Sequence, residues 1–207
     1  MYGLEQCCRR GLGLLLLLML PALASAHDST AGHGGHELID FSLTTDQGEW
    51  QLNSLRGKVV FVVFGYTHCP DVCPTSLQTL ADAFDQLEPE LQDQARGVFV
   101  SLDPERDGHD KLRQYARYFH PNIIGVTGTA AEVRSVADEL GVRFKINNPG
   151  SEDYSVDHST LAFAIDPQGD KLMVLVSHAA PASFIAQLVR DTLQPDVADS
   201  NTEASGS

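Results

Sequence analysis

The chain has 207 residues, 43% of them hydrophobic and 20% charged, which fits one ordinary soluble domain with tails. Its formal charge of −14 would repel nucleic acid and anionic lipid headgroups. Basic protein patches or cations remain as partners, and acidity also serves solubility alone.

Arg9 and Arg10 precede the apolar run GLGLLLLLMLPAL, and Ala24-Ser25-Ala26 supplies the small residues of a cleavage site. This three-part pattern reads as a secretory signal over residues 1–26. The run from Gly11 to Ala24 is 14 residues, short of the roughly 20 that span a bilayer. The expectation is therefore a periplasmic protein, soluble after cleavage; the alternative is an uncleaved inner-membrane anchor facing the periplasm. Residues 27–37, opening HDSTAGHGGH with His27, His33 and His36, read as a flexible histidine-bearing tail, and residues 194–207 as a disordered acidic tail. Between them, residues 38–193 read as one domain without repeats.

The run KVVFVVF, Lys58 to Phe64, predicts a buried strand. Thr75 to Leu91 carries Leu77, Leu80, Ala81, Phe84 and Leu87 on one helical face, with Pro74 at the first helical position. Gly97 to Leu102 predicts a second strand, and Leu112, Tyr115, Ala116 and Phe119 mark a second helix. A short strand follows at Asn122 to Val126, then a helix over Thr129 to Leu140 with Val133, Val136, Ala137 and Leu140 inward and Gly141 as its stop. Strands at Leu161 to Ile165 and Lys171 to Val176 flank the turn DPQGD, and a last helix, Pro181 to Leu193, buries Phe184, Ile185, Leu188 and Val189. The alternation implies an α/β fold: a central mixed sheet with helices on both faces, in the thioredoxin-like order with an inserted helix and strand.

Directly after the first strand stands GYTHCPDVCP. Removal of the signal takes Cys7 and Cys8 with it and leaves Cys69 and Cys73. A disulfide closing so small a loop would constrain little of the unfolded chain, which favours functional thiols. A helix N-terminus beside them favours thiolate, so both are expected to be reactive without deep burial. Three residues separate them, where thioredoxin-type oxidoreductases have two, so the sulfurs can converge on an ion as readily as on each other. Two thiolates form a soft pair suited to copper(I) or zinc.

A third donor is sought among the histidines. His68 adjoins Cys69 and points to the opposite face of an extended segment. His109 and His120 read as solvated or capping residues, and His178 as a helix-entry residue. His158, in VDHST, ends the polar loop Asn147 to Ser155 just before a strand, where a thioredoxin arrangement faces the thiol loop. Redox pair and three-donor metal site both stay open on these residues.

Together GYTHCPDVCP, SLDPERDG from Ser101 and YSVDHST from Tyr154 resemble the Sco/SenC family of copper-binding thioredoxin-like proteins, from about Phe41 to Leu193. The resemblance implies that Cys69, Cys73 and His158 bind one copper ion per chain, as Cu(I) or Cu(II). It further implies delivery of copper to the CuA centre of cytochrome c oxidase subunit II, or maintenance of that centre's cysteines in reduced form. The expected protein is a monomer and a metallochaperone rather than an enzyme, with other periplasmic copper chaperones or thiol reductases as further partners. A periplasmic thiol:disulfide oxidoreductase using Cys69 and Cys73 is the alternative. Asp71, Asp103 and Asp107 match family positions and are assigned to shaping the site or its partner surface, because carboxylate oxygen suits copper poorly beside two thiolates.

Overall fold

The structure, a computed structural model, describes residues 38–194. The signal (1–26), the histidine-bearing tail (27–37) and nearly all of the acidic tail (194–207) lie outside the described residues.

Strand β1 (Ser42–Thr45) pairs antiparallel with β2 (Gly48–Gln51), a hairpin that the sequence reading left out. The central strand β3 (Val59–Gly65) is buried at every position, so both faces of the sheet are covered there. It pairs parallel with β4 (Ala95–Ser101), which pairs parallel with β5 (Ile123–Val126). On its other side β3 pairs antiparallel with β8 (Leu161–Ile165), followed by β9 (Lys171–Val176). The result is a five-stranded mixed sheet in the order β5-β4-β3-β8-β9. Residues Phe61 and Val63 face Ser76 and Leu80 of helix α1 (Val72–Asp85) and Ile185 of helix α5 (Ala182–Leu193). Helices α3 (His109–Phe119) and α4 (Ala130–Glu139) add Leu112, Ala116, Val133, Val136 and Ala137 to the same core. This is the mixed α/β, thioredoxin-like architecture expected.

Helix α4 is bounded as its sequence dictates. The Thr129 hydroxyl accepts from the Glu132 N–H at 3.2 Å while the Glu132 carboxylate accepts from the Thr129 N–H at 2.7 Å. At its end Gly141 takes φ +69°, a conformation costly for other residues, which lets the Val142 N–H reach the Ala137 carbonyl at 2.7 Å.

Four expectations fail for physical reasons. The helix drawn from Thr75 to Leu91 is two: α1 stops at Asp85 and a single turn, α2 (Pro89–Gln92), restarts after extended Glu88. The ring of Pro89 would strike the carbonyl of Asp85, and the residue before a proline avoids the helical region. The same helix begins three residues early, so Pro74 is its third residue and Cys73 lies inside the first turn. Phe184 is 43% exposed, because the inward stripe of α5 runs through Ile185, Ala186 and Val189 and leaves it at the edge. The polar loop before His158 joins an unforeseen hairpin of β6 (Phe144–Asn147) and β7 (Ser155–His158), inserted between α4 and β8.

Candidate metal centre

Beyond Gly65 the chain leaves the sheet, and the loop from Tyr66 to Asp71 carries Cys69 before α1 begins. The Cys69 N–H donates to the Tyr66 carbonyl at 3.2 Å, which curls the loop back on itself. Cys73 then falls under the end of β3. A Cβ added at Gly65 would lie 2.6 Å from the Cys73 sulfur and 2.8 Å from the Phe99 ring, so the close approach requires glycine at this position. Cys69 is half-buried and Cys73 is 2% exposed; both are free thiols.

The second arm is β7, whose last residue is His158. Its Nδ1–H donates to the Ser159 carbonyl at 3.0 Å, which assigns the proton to Nδ1 and leaves the Nε2 lone pair free. That nitrogen stands 3.6 Å from the Cys73 sulfur. The ring edge of His158 also packs on Tyr66, with centroids 6.2 Å apart at 86°. Cys69, Cys73 and His158 thus each offer one donor atom, all within 4.8 Å of one another. Two sulfurs and one imidazole nitrogen so placed fit a soft or borderline ion such as copper.

Burial does not spare both thiols, contrary to the expectation drawn from the helix end. Inside α1, desolvation pushes the Cys73 thiol well above its ordinary range, and the neighbouring Cys69 and Asp107 add to it. Low dielectric outweighs the favourable helix terminus, and a bound cation would shift the balance back toward thiolate at this position.

The remaining candidates are placed as follows. Asp71 is exposed beside the thiols, and its carbonyl accepts from the Thr75 N–H and hydroxyl. His68, Asp103 and Asp107 form a second cluster of potential donors, but its carboxylates are already occupied. Asp107 accepts from the Thr67 N–H (2.8 Å), the Thr67 hydroxyl (2.5 Å), the Ser101 hydroxyl (2.7 Å) and Lys111 (3.4 Å). Asp103 accepts from Arg106 and from the Tyr154 hydroxyl, each at 2.5 Å. Burial, and next the bond to Asp103, push the Tyr154 hydroxyl up to about 12. Both aspartates therefore shape the site through protein partners. His109 contacts the Thr44 hydroxyl at 2.9 Å, and His178 lies exposed in the turn before α5. His120 is buried rather than solvated: it caps α3, with Nδ1 accepting from the Asn122 N–H at 3.0 Å. Arg106, Tyr66, Thr67 and Tyr154 had no role in the sequence reading, although all four stand inside its three motifs.

The SCO1/SenC family model matches residues 30–194. A mitochondrial SCO1 homolog 1 of Arabidopsis thaliana is 39% identical over 129 residues, 62% of this chain and 39% of its own length. A mitochondrial SCO2 of Saccharomyces cerevisiae is 38% identical over 70% of this chain, so the chain spans less than half of either relative, 47% in this second case. Among solved structures, apo Sco1 from Thermus thermophilus matches with a TM-score of 0.68 at 34% identity, covering 78% of this chain and 92% of that one. Arabidopsis thaliana ScoI, solved with copper bound, matches with a TM-score of 0.66 at 32% identity, covering 76% and 98%.

Proposed function

The chain belongs to the SCO1/SenC family, and from that premise we propose that it is a metallochaperone that carries one copper ion on Cys69, Cys73 and His158. What supports the reading most is the meeting of these three donors, 85 residues apart at Cys73 and His158, with Nε2 left free by the Nδ1–H bond to Ser159. Copper is cargo in this reading. Its capture releases the two thiol protons and gains two thiolates, with the imidazole as third donor. The recipient we propose is the CuA centre of cytochrome c oxidase subunit II, with the domain (38–193) acting in the periplasm after loss of residues 1–26. No helix among the described residues is long and apolar enough to cross a membrane.

Thiol–disulfide exchange with a partner's cysteines is the second reading, favoured by the free and adjacent thiols. It requires an attacking thiolate, and burial disfavours that form at Cys73, leaving Cys69 as the nucleophile. His158→Ala separates the two. Copper(II), which needs the imidazole, is expected to bind at least about tenfold more weakly, copper(I) on two thiolates to change little, and disulfide reduction to survive. Unchanged copper(II) retention with lost reductase activity would make His158 an acid–base partner of the thiols and replace the chaperone by the enzyme.

A further inference from the structure

Two separate arms make the donor set, and their contacts across the site are few: the Cys73 sulfur to His158, the edge of His158 on Tyr66, and the Val156 N–H donating to the Tyr66 hydroxyl. A further brace ties both arms to a third element. The turn after β4, Asp103 to Gly108, lies under both. Asp107, wholly buried, holds the thiol arm through Thr67, two residues before Cys69. The same turn holds the histidine arm through Arg106.

The contacts of Arg106 are specific. Its Nε donates to Asp103 at 2.5 Å, and Nη1 donates to the Tyr154 carbonyl, one residue before β7, at 2.8 Å. The guanidinium lies 3.4 Å over the Tyr154 ring and 5.8 Å from the centroid of Tyr66. Tyr154 closes the circuit by donating its hydroxyl to Asp103. Arg106 therefore touches the residue that begins the thiol loop and the residue that leads into His158. Its Nη2 is buried without a hydrogen-bond partner among the described residues. An unmet buried donor costs stability, so plain packing is a poor reason for an arginine here.

We infer that Arg106 is a positioning residue that sets the placement of His158 against the thiol pair, and with it how strongly the site holds copper(II) relative to copper(I). The inference rests on the donor set proposed above. Lysine would keep the charge near Asp103 but lacks the planar fork that meets Asp103, the Tyr154 carbonyl and the Tyr154 ring together.

The test uses reduced protein titrated with copper(II) and copper(I) against competing chelators, and metal-free protein by ¹⁵N NMR of the histidine rings. Arg106→Ala is expected to weaken copper(II) binding by about tenfold or more, shift its sulfur-to-copper band and change copper(I) binding by less than about threefold. Arg106→Lys should restore little. In metal-free Arg106→Ala, the His158 ring should lose its single Nδ1–H form and average between tautomers. Arg106→Ala combined with His158→Ala should bind copper(II) no more weakly than His158→Ala alone. Tyr154→Phe, which removes only a hydroxyl, should move every readout the same way by less, and it serves if Arg106→Ala does not fold. Wild-type copper(II) binding and an unchanged His158 signal in Arg106→Ala, while His158→Ala is weak, would overturn the inference alone. An equal loss of copper(I) would also overturn it, by making Arg106 a support of the thiol loop. Unchanged copper(II) binding in His158→Ala would instead remove the donor set itself.

Discussion

Gly65→Ala tests the junction between β3 and the thiols. The added methyl would stand 2.6 Å from the Cys73 sulfur and 2.8 Å from the Phe99 ring. Neither neighbour yields easily, since Cys73 is 2% exposed and Phe99 is fully buried. Overpacking of this kind costs about 1–3 kcal/mol. Replacing glycine by alanine returns about 0.4–1 kcal/mol by restricting the unfolded chain. The clash wins, for a net loss of roughly 1–2 kcal/mol, equivalent to about 2–8 °C in Tm for a domain of this size. Thermal unfolding followed by circular dichroism measures it. In a Cys73→Ala background the sulfur is gone and only Phe99 resists, so the cost of Gly65→Ala should fall by about 1 kcal/mol. An equal cost in both backgrounds would refute the contact between sulfur and strand. Copper(II) retention should drop in Gly65→Ala with Cys73 otherwise intact, because any yielding of the sulfur disturbs its 3.6 Å approach to His158.

The Tyr115 hydroxyl is buried with no hydrogen-bond partner among the described residues, so Tyr115→Phe should leave stability unchanged or raise it by up to about 1 kcal/mol in chemical denaturation; a clear loss would reveal a partner. Iodoacetamide on reduced protein should modify Cys69 about tenfold faster than Cys73, which is buried and resists ionisation; peptide mapping at equal rates would contradict that asymmetry. His120 has its pKa lowered by burial, with Asp85 opposing. The unfolded chain therefore binds the extra proton first, so stability is full above the ordinary histidine value of 6.5 and declines as pH falls below it, levelling off beneath the folded value. Denaturant midpoints between pH 5 and 8 should show this slope, and His120→Gln should flatten it; a midpoint that rises on acidification would reverse the assignment.

The legible parts of the fold are those where one physical demand dominates. Every residue of β3 is buried, so its run of Val and Phe could hardly be anything else. The bounds of β8 and β9 coincide with the sequence reading because the turn DPQGD fixes both. In that turn the Asp166 carboxylate accepts the Gln168 and Asp170 N–H groups. Failure came where local signals competed. The apolar spacing through Leu87 and Leu91 continued a helix that Pro89 forbids. Strands β6 and β7 are four residues each, half-buried and, among the described residues, paired only with each other, so neither has an apolar run to announce it. Phe184 shows that an apolar residue at helical spacing is not inward unless it sits near the middle of the stripe.

The centre divides the same way. Cysteine and histidine are recognisable as donors because few side chains can bind a soft metal, and so they stand out at any spacing. What the letters do not carry is inequality between them. Cys73 is enclosed by Gly65 and Phe99 while Cys69 stays half-exposed, and that difference follows from α1 starting at Val72 rather than after the second thiol. On the proposed reading this inequality gives the site a direction. An ion held on three donors passes to another protein by exchange of ligands one at a time, and an incoming ligand can first reach the ion where the shell is open. The open side is that of Cys69, bordered by the exposed carboxylate of Asp71, whereas Cys73 and the tethered imidazole form the fixed side. Arg106 is silent in the sequence for the opposite reason, and Asp107 entered only through the family resemblance. Arginine and aspartate serve so many surface purposes that only their burial, with Asp107 wholly enclosed and Arg106 pinned between two tyrosines, separates a strut from a solvated charge.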